Sequence, residues 1–266
     1  AGLFVAILAC GLCAASVLAA QRLTGVRAGA WIGAAIAVAI VAGTTALGLS
    51  PAAAIVAAMQ PIAHLGDSYL ALVIIVLVET LLWTAGVHGP AVLAAVVTPV
   101  YLTMQTQNTH AYAAHAPLPY VVVVSLFLFV FPGGAGATLP LAVMLAFSRV
   151  PRLRRIGRMT IVPGLFNIND PLLVGAPVVF NPYFVIPFVG APLVLASSTY
   201  AAVAFGAVSR AAFYVPSSIP SPIAVYLATL DVRAVGLVLA NIAIAAVIYY
   251  PFVRAYERHL LQSTAA

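Results

Sequence analysis

The feature that most constrains this chain is the near absence of charge over long stretches. From Thr80 to Ser148 no side chain carries a formal charge, and residues 1–20 are equally free of charge. Only 6% of the 266 residues are charged, against about 25% in an ordinary globular protein. A soluble fold needs charged side chains over its surface, and 11 arginines with 5 acids cannot cover it. The mean hydropathy of +1.16 agrees, so we expect a chain that folds in lipid.

The apolar stretches predict an all-α polytopic membrane protein with about seven transmembrane spans and two re-entrant hairpins. About 20 apolar residues are enough for a helix to cross the hydrocarbon core. The expected spans are 1–20, 28–48, 68–85, 112–131, 135–148, 183–207 and 234–251.

The densest charge cluster sets the predicted orientation. It consists of the arginines in 149–158, and positive charge is biased towards cytoplasmic loops. Recognition of anionic lipid or of a partner is the alternative interpretation of this cluster. With the cluster in the cytoplasm, counting the crossings also puts the C-terminus there and leaves only Arg210 and Arg233 outside.

Two of the apolar segments are interrupted by helix breakers around a titratable side chain. The first interruption is 83–90 with His88, and the second is 162–171 with Asp170. Backbone at membrane depth must be hydrogen-bonded internally, so interruptions persist only where they are buried in protein or line a polar cavity. Paired interrupted segments indicate a transport site near the middle of the membrane. We therefore predict hairpin tips near His88 and Asp170.

These two tips carry the side chains predicted to bind substrate. A carboxylate inside the membrane is unfavourable unless it is used or paired, which favours a functional Asp170. Asn167 and Asn169 add amide donors and acceptors beside it, and His88 adds an imidazole. A single histidine between helices is also compatible with a purely structural hydrogen bond. Carboxylate and amide groups bind neighbouring hydroxyls, so the predicted ligand is a neutral polyhydroxylated molecule, with His88 and Asp170 able to handle a hydroxyl proton.

The remaining polar residues and motifs suggest no other chemistry. The sequence has no GxSxG, no P-loop and no GxGxxG, which argues against a hydrolase, an NTPase or a dinucleotide enzyme. His110 and His115 do not share a helical face, so no metal site is predicted, and neither a cofactor nor a nucleic-acid partner is expected. Asp67 and Ser68 are interpreted as a helix cap, and Glu79 as a buried acid whose role stays open.

The second interrupted segment lies within a recognisable motif. The run VPGLFNINDPLLVGAPVVFNPYFVIPFVGAPLV at 162–194 resembles the signature of the membrane IIC component of sugar phosphotransferase systems, in the lactose, cellobiose and chitobiose branch. The resemblance continues in LGDSYLALVIIVLVETLLWTAGVHG (65–89), GGAGATLPLAVMLAFSR (133–149) and VPSSIPSPIAVYLATLDVRAVGLVLANIAIAAVIYYPFVRAYE (215–257). It therefore covers most of the chain.

This resemblance implies a homodimeric permease of the bacterial plasma membrane that carries a sugar inward. A cytoplasmic IIB partner then passes a phosphoryl group from its cysteine to a sugar hydroxyl, so the phosphoryl donor is not in this chain. His88 matches the histidine of the family's first hairpin motif, and Asp170 matches the acid of its second. Those family residues contact the hydroxyl that is phosphorylated, and Asn169 belongs to the same tip.

Two departures from the family pattern accompany this resemblance. The family usually has Glu where this chain has Asp170, so the reach to the hydroxyl is shorter by about one bond length unless the hairpin shifts or a water intervenes. The match begins near the family's fourth span, so we interpret 1–63 as a remnant of the interface-side spans, without most of the dimer interface. Residues 64–266 are then the sugar-binding transport domain.

Two alternative functions stay open. One is a secondary carrier or facilitator of a polar solute without phosphoryl transfer, in which Asp170 and Glu79 couple protons. The other is an inactive partial permease.

Overall fold

The computed structural model of the chain describes residues 66–263, except 177, 179 and 180. The spans expected at 1–20 and 28–48, and the segment 1–63 as a whole, lie outside the described residues.

The chain divides into two compact units. One unit comprises residues 65–89 and 98–266, and it contains the residues of the candidate site. The other comprises 1–64 and 90–97, of which only the last eight positions are described.

Within the described residues every regular element is helical. The helices are α1 (Tyr69–Thr84), α2 (Gly89–Ala113), α3 (Phe127–Val130), α4 (Leu139–Ala146), α5 (Pro151–Leu165), α6 (Asp170–Gly175), α7 (Pro182–Ala204), α8 (Ser221–Thr229) and α9 (Val232–Ser263), with a 3₁₀ turn at Val124–Leu126 before α3. In the larger unit α4 packs on α5, while α7 packs on both α1 and α9.

Two described helices, α7 and α9, are long and apolar enough to cross a membrane. They correspond to the spans expected at 183–207 and 234–251. Helix α1 is apolar but shorter, with 16 residues. The total number of spans stays a prediction.

Helix α1 begins where the sequence predicts, and Ser68 caps it. The Ser68 hydroxyl accepts a hydrogen bond from the backbone N–H of Ala71 at 3.1 Å. Asp67 does not share this role. Its carboxylate accepts from the N–H groups of Val121 and Val122, at 2.8 and 2.7 Å, and so ties the start of α1 to a non-helical segment.

The helix expected at 112–131 is wrong, because the long helix of this region is α2 and the backbone at 114–123 is not helical. The polar residues of α2 explain the difference. Gln105 and Asn108 are buried, and both donate to the carbonyl oxygen of Ala211 at 3.0 Å. Asn108 also donates to the carbonyl of Tyr120. These residues supply hydrogen bonds to irregular backbone instead of interrupting the helix.

The arginine cluster was expected in a loop, but most of it lies in α5. Pro151 occupies the first helical position, where a missing N–H is tolerated. Gly157 then allows α5 to lie directly on α4, since a Cβ there would come within 2.2 Å of the Ala146 nitrogen. The preceding span expected at 135–148 is correspondingly short, because α4 covers only part of it.

The apolar core of the larger unit lies between α4, α5, α6, α7 and α9. Its large buried members are Leu141, Leu145, Leu153, Leu172, Leu173, Phe184, Phe188 and Tyr249. The Tyr249 hydroxyl donates to the carbonyl oxygen of Gly136 at 2.7 Å, which connects α9 to the glycine-rich loop at 131–138. The core therefore supports the glycine-rich loop through Tyr249.

Candidate functional site

The first predicted tip begins where α1 ends in a Schellman turn. Gly86 has a φ of 79°, in the left-handed region that glycine adopts without strain. Its N–H donates to the Trp83 carbonyl at 3.0 Å, and the N–H of Val87 donates to the Leu82 carbonyl at 2.8 Å. This pair of hydrogen bonds defines the motif. It turns the chain so that His88 follows directly on the end of the helix.

Close backbone packing and an aromatic contact then fix the position of His88. A Cβ on Gly89 would lie 2.3 Å from the carbonyl oxygen of Glu79, so only glycine permits this approach. After the break that follows α1, Gly89 therefore packs directly against the backbone of Glu79, whose side chain is buried. The imidazole of His88 packs on the Trp83 ring with centroids 4.6 Å apart. Sequence reasoning missed Trp83, although it stands five residues before His88 in the same motif.

The second predicted tip is built on the same turn. Asn167 has a φ of 61° at the end of α5, and asparagine is the residue after glycine that best tolerates this region. Its N–H donates to the Gly164 carbonyl, and the N–H of Ile168 donates to the Pro163 carbonyl, each at 3.0 Å. Asp170 is the first residue of α6, where a negative charge is stabilised by the helix dipole.

The Asn167 side chain joins this tip to two other segments. Its Oδ1 accepts from the N–H of Gly133 at 2.8 Å and from the Ser221 hydroxyl at 3.0 Å. Its Nδ2 donates to the carbonyl oxygens of Ser217 and Ile219, at 2.7 and 3.0 Å. An amide has two donors and one oxygen with two lone pairs, so these four bonds use its full capacity.

Asn169 anchors the second tip to the glycine-rich loop at 131–138 through hydrogen bonds. It is buried, and its Nδ2 donates to the Ala135 carbonyl at 2.6 Å and to the Thr138 hydroxyl at 3.0 Å. Gly134 lies against it, since a Cβ there would be 2.7 Å from the Asn169 Cγ and 2.8 Å from the Asn167 carbonyl oxygen. The sequence placed this loop at the start of a span, and its role in holding the tip was not predicted.

The structure brings His88 and Asp170 together from tips that are far apart in the sequence. The His88 Nε2 lies 3.9 Å from the Asp170 Oδ1, and about half of each side chain is exposed, 49% and 57%. This distance is longer than a direct hydrogen bond. A hydroxyl oxygen about 2.8 Å from both atoms would see them at an angle of about 90°, which suits one group bonded to both. Of the four predicted site residues, His88 and Asp170 are therefore the two whose half-exposed side chains lie close enough to contact one ligand group.

The other four acids are engaged elsewhere or buried. Glu79 is buried in α1, and Asp67 binds backbone amides as described above. Glu257 is buried and accepts from the Arg149 N–H and from Arg254.

Asp231 accounts for the last of these acids. The Arg233 guanidinium, which donates to Asp231, holds the pKa of that carboxyl well below its usual range. Asp170 is thus the one acid with an exposed side chain, and it faces a histidine.

A comparison with known families decides the assignment. The family described as "Phosphotransferase system, EIIC" matches residues 24–192 of the chain. The chain belongs to this EIIC family. The resemblance in the sequence motifs is confirmed, and the chain is an all-helical integral plasma-membrane protein as far as the described residues extend.

A solved structure agrees with the family assignment. The transporter ChbC, the IIC component from the N,N'-diacetylchitobiose-specific phosphotransferase system, is 30% identical to this EIIC chain with a TM-score of 0.75. The similarity covers 98% of this chain and 65% of that one.

Curated relatives are similar over part of their length. The cellobiose-specific EIIC component of Geobacillus stearothermophilus is 36% identical over 205 residues, which are 75% of this chain and 46% of the relative. The lactose-specific EIICB component of Streptococcus mutans serotype c is 32% identical over 223 residues, which are 82% of this chain and 39% of the relative. This EIIC chain thus spans less than half the length of either relative.

Proposed function

We propose that the chain is a sugar permease of the phosphoenolpyruvate-dependent phosphotransferase system. It binds a saccharide at the two tips and moves it inward for phosphorylation by a cytoplasmic IIB protein. The observation that carries this proposal is the pairing of His88 with Asp170 at 3.9 Å. Membership of the EIIC family and the sugars named for its relatives support the same substrate class.

The paired side chains suit a hydroxyl that becomes a nucleophile. Asp170 accepts a hydrogen bond from the sugar hydroxyl and so directs the hydroxyl oxygen at the phosphorus. His88 donates a hydrogen bond to the same hydroxyl oxygen. The O–P bond forms as the S–P bond to the cysteine of the IIB protein breaks, and the thiolate leaves. The hydroxyl proton passes to Asp170, or through it to His88.

In this mechanism Asn167 and Asn169 serve the site by holding Asp170. Their amides hydrogen-bond the backbone around the tip, so they set where the carboxylate stands. A catalytic carboxylate displaced by about 1 Å loses much of its effect, so this support matters for rate.

The wider arrangement follows the family resemblance. We propose about seven spans with re-entrant hairpins at the two tips, the C-terminus in the cytoplasm, and residues 64–266 as the sugar-binding domain. The EIICB name of the lactose-specific relative supports a IIB partner. The lipid bilayer is the proposed environment, as for the homodimeric permeases that the family resemblance implies.

The first test replaces Asp170→Asn in the full chain and measures uptake into vesicles loaded with phosphorylated IIB protein. We expect phosphorylated sugar to fall at least about 100-fold, because the amide cannot take the hydroxyl proton. Asp231→Asn, compared at matched membrane level, is the control for the same change outside the site. Full phosphorylation by the Asp170→Asn variant would overturn the assignment. Accumulation driven by a pH gradient without IIB protein would instead favour the carrier alternative.

A further inference from the structure

A groove on the first half of α5 is not explained by the sugar site. Pro151, Arg154, Arg155, Arg158 and Met159 line it, and its volume is about 340 Å³. Their spacing of three and four residues places all five on one face of the helix. We call this feature the arginine groove.

The charge of the arginine groove lacks a counterpart. Arg154 is held in place because its Nε donates to the Ser148 carbonyl at 2.9 Å. Arg155 and Arg158 are exposed, and no acidic side chain in the described part of the chain pairs with them. Three guanidinium groups on one helix face repel one another, so an anion bound among them relieves the repulsion. Their planar forks match phosphate oxygens in particular.

The surface beside the groove is apolar and faces outward. Met159 and Val162 are 69% and 63% exposed, and Leu165 at the end of α5 is 44% exposed. At a rise of about 1.5 Å per residue, the helix surface changes from basic to apolar within one to two turns. A membrane changes from phosphate headgroups to acyl chains over a comparable depth. A free anion would leave this apolar surface uncovered.

We propose that the arginine groove binds the phosphodiester headgroup of an anionic phospholipid, with the acyl chains over Met159 and Val162. Basic pockets at the cytoplasmic end of helices take such headgroups in other membrane proteins. The proposal depends on the location of the chain in the plasma membrane and is independent of the sugar chemistry.

The test measures lipid retention by native mass spectrometry of the full chain, taken from nanodiscs of phosphatidylcholine with 20% phosphatidylglycerol. We expect the double variant Arg155→Gln/Arg158→Gln to weaken phosphatidylglycerol binding by at least about 30-fold, because it loses charge-assisted hydrogen bonds to the phosphate together with two surface charges. Arg152→Gln is the matched control, because Arg152 is exposed on the same helix but does not line the groove. It should weaken binding by no more than about fivefold, as expected for the diffuse attraction of one surface arginine, and only the double variant should lose selectivity for phosphatidylglycerol over phosphatidylcholine.

A second variant keeps the test valid if the first is poorly folded. Arg155→Lys/Arg158→Lys retains both charges but loses the forks, so we expect an intermediate loss. Equal losses for the double variant and for Arg152→Gln would overturn the proposal in favour of diffuse attraction. Displacement of the lipid by millimolar inorganic phosphate would assign the groove to free phosphate. Weaker binding of phosphorylated IIB protein with unchanged lipid retention would assign it to the partner protein.

Discussion

The two tips of the site have the same type of backbone turn but are held in place by different contacts. Gly86 and Asn167 occupy equivalent left-handed positions at the ends of α1 and α5. Glycine contributes no side chain, whereas the Asn167 amide makes four hydrogen bonds to neighbouring segments. On the first tip the corresponding contacts are the close approach of Gly89 to the Glu79 backbone and the packing of His88 on a tryptophan ring.

This difference shows how a single local motif serves two chemical tasks. The carboxylate tip is held by directional hydrogen bonds, which fix both the position and the orientation of the backbone that carries Asp170. On the histidine tip, a close glycine contact and the face of an aromatic ring constrain the shape of the backbone and the position of His88. We therefore expect substitutions at the second tip to act through lost hydrogen bonds, and those at the first to act through steric fit.

The largest effect is expected for Gly134→Ala, which disrupts the packing of the glycine-rich loop against Asn169 in the second tip. The new Cβ would lie 2.7 Å from the Asn169 Cγ, at a φ of +90° that alanine rarely adopts. Overpacking and backbone strain together should lower the free energy of unfolding by about 4 kcal/mol. Thermal denaturation in detergent measures it. Gly190→Ala is the control, because nothing lies within 4 Å of that Cβ, and it should be neutral or stabilising. Equal melting temperatures for the two variants would contradict the proposed packing.

Asn167→Gly should have the next largest effect, because it keeps the backbone turn and removes only the hydrogen bonds of the Asn167 amide. Glycine adopts the φ of 61° freely, so no backbone strain is added. The loss of four hydrogen bonds, two of them to backbone carbonyls, should lower the free energy of unfolding by about 2–3 kcal/mol. The same denaturation assay measures this change. A loss below about 0.5 kcal/mol would mean that water replaces the amide without penalty.

Local patterns in the sequence predicted much of the site. The helix breakers before His88 and Asp170 predicted the helix ends that the structure has at α1 and α5, since a glycine or an asparagine just after a helix is typical of its end. The sequence could not show that the amides of Asn167 and Asn169 turn towards the protein. That orientation depends on Gly133, Gly134 and the segment near Ser217, which only the tertiary fold brings to the tip.

The helix boundaries failed for a related reason. Gln105 and Asn108 lie within α2, because a buried amide is compatible with a helix when it bonds irregular backbone on a neighbouring segment. The partner carbonyl of Ala211 is about a hundred residues away in the chain, so no local pattern reveals it. The arginines of α5 were assigned to a loop on charge alone, although their spacing fits one helical face.

Asp170→Glu tests the gap between the tips with a smaller expected effect. The extra methylene lengthens the side chain by about 1.5 Å, which is enough to close the 3.9 Å separation from His88 to a direct hydrogen bond. The charge and the acceptor oxygens are unchanged, but the carboxylate moves by about 1.5 Å into the space of the substrate hydroxyl, so phosphorylation with IIB protein should fall by about tenfold, less than for Asp170→Asn. Phosphorylation within about threefold of the unaltered chain would show that the presence of the carboxylate, and not its position, controls the reaction.

Gly86→Asn should have the smallest effect and gives the sharpest test of the comparison. Asparagine tolerates a φ of 79°, and the Schellman turn needs only backbone hydrogen bonds, so the free energy of unfolding should change by less than about 0.5 kcal/mol. Gly86→Ala at the same position should cost about 1 kcal/mol or more, because its Cβ opposes the left-handed region. Both changes are measured by the same denaturation assay. If Gly86→Asn destabilised the chain as much as Asn167→Gly, the first tip would also depend on the identity of its turn residue. The contrast between a tip fastened by hydrogen bonds and one fastened by fit would then be wrong.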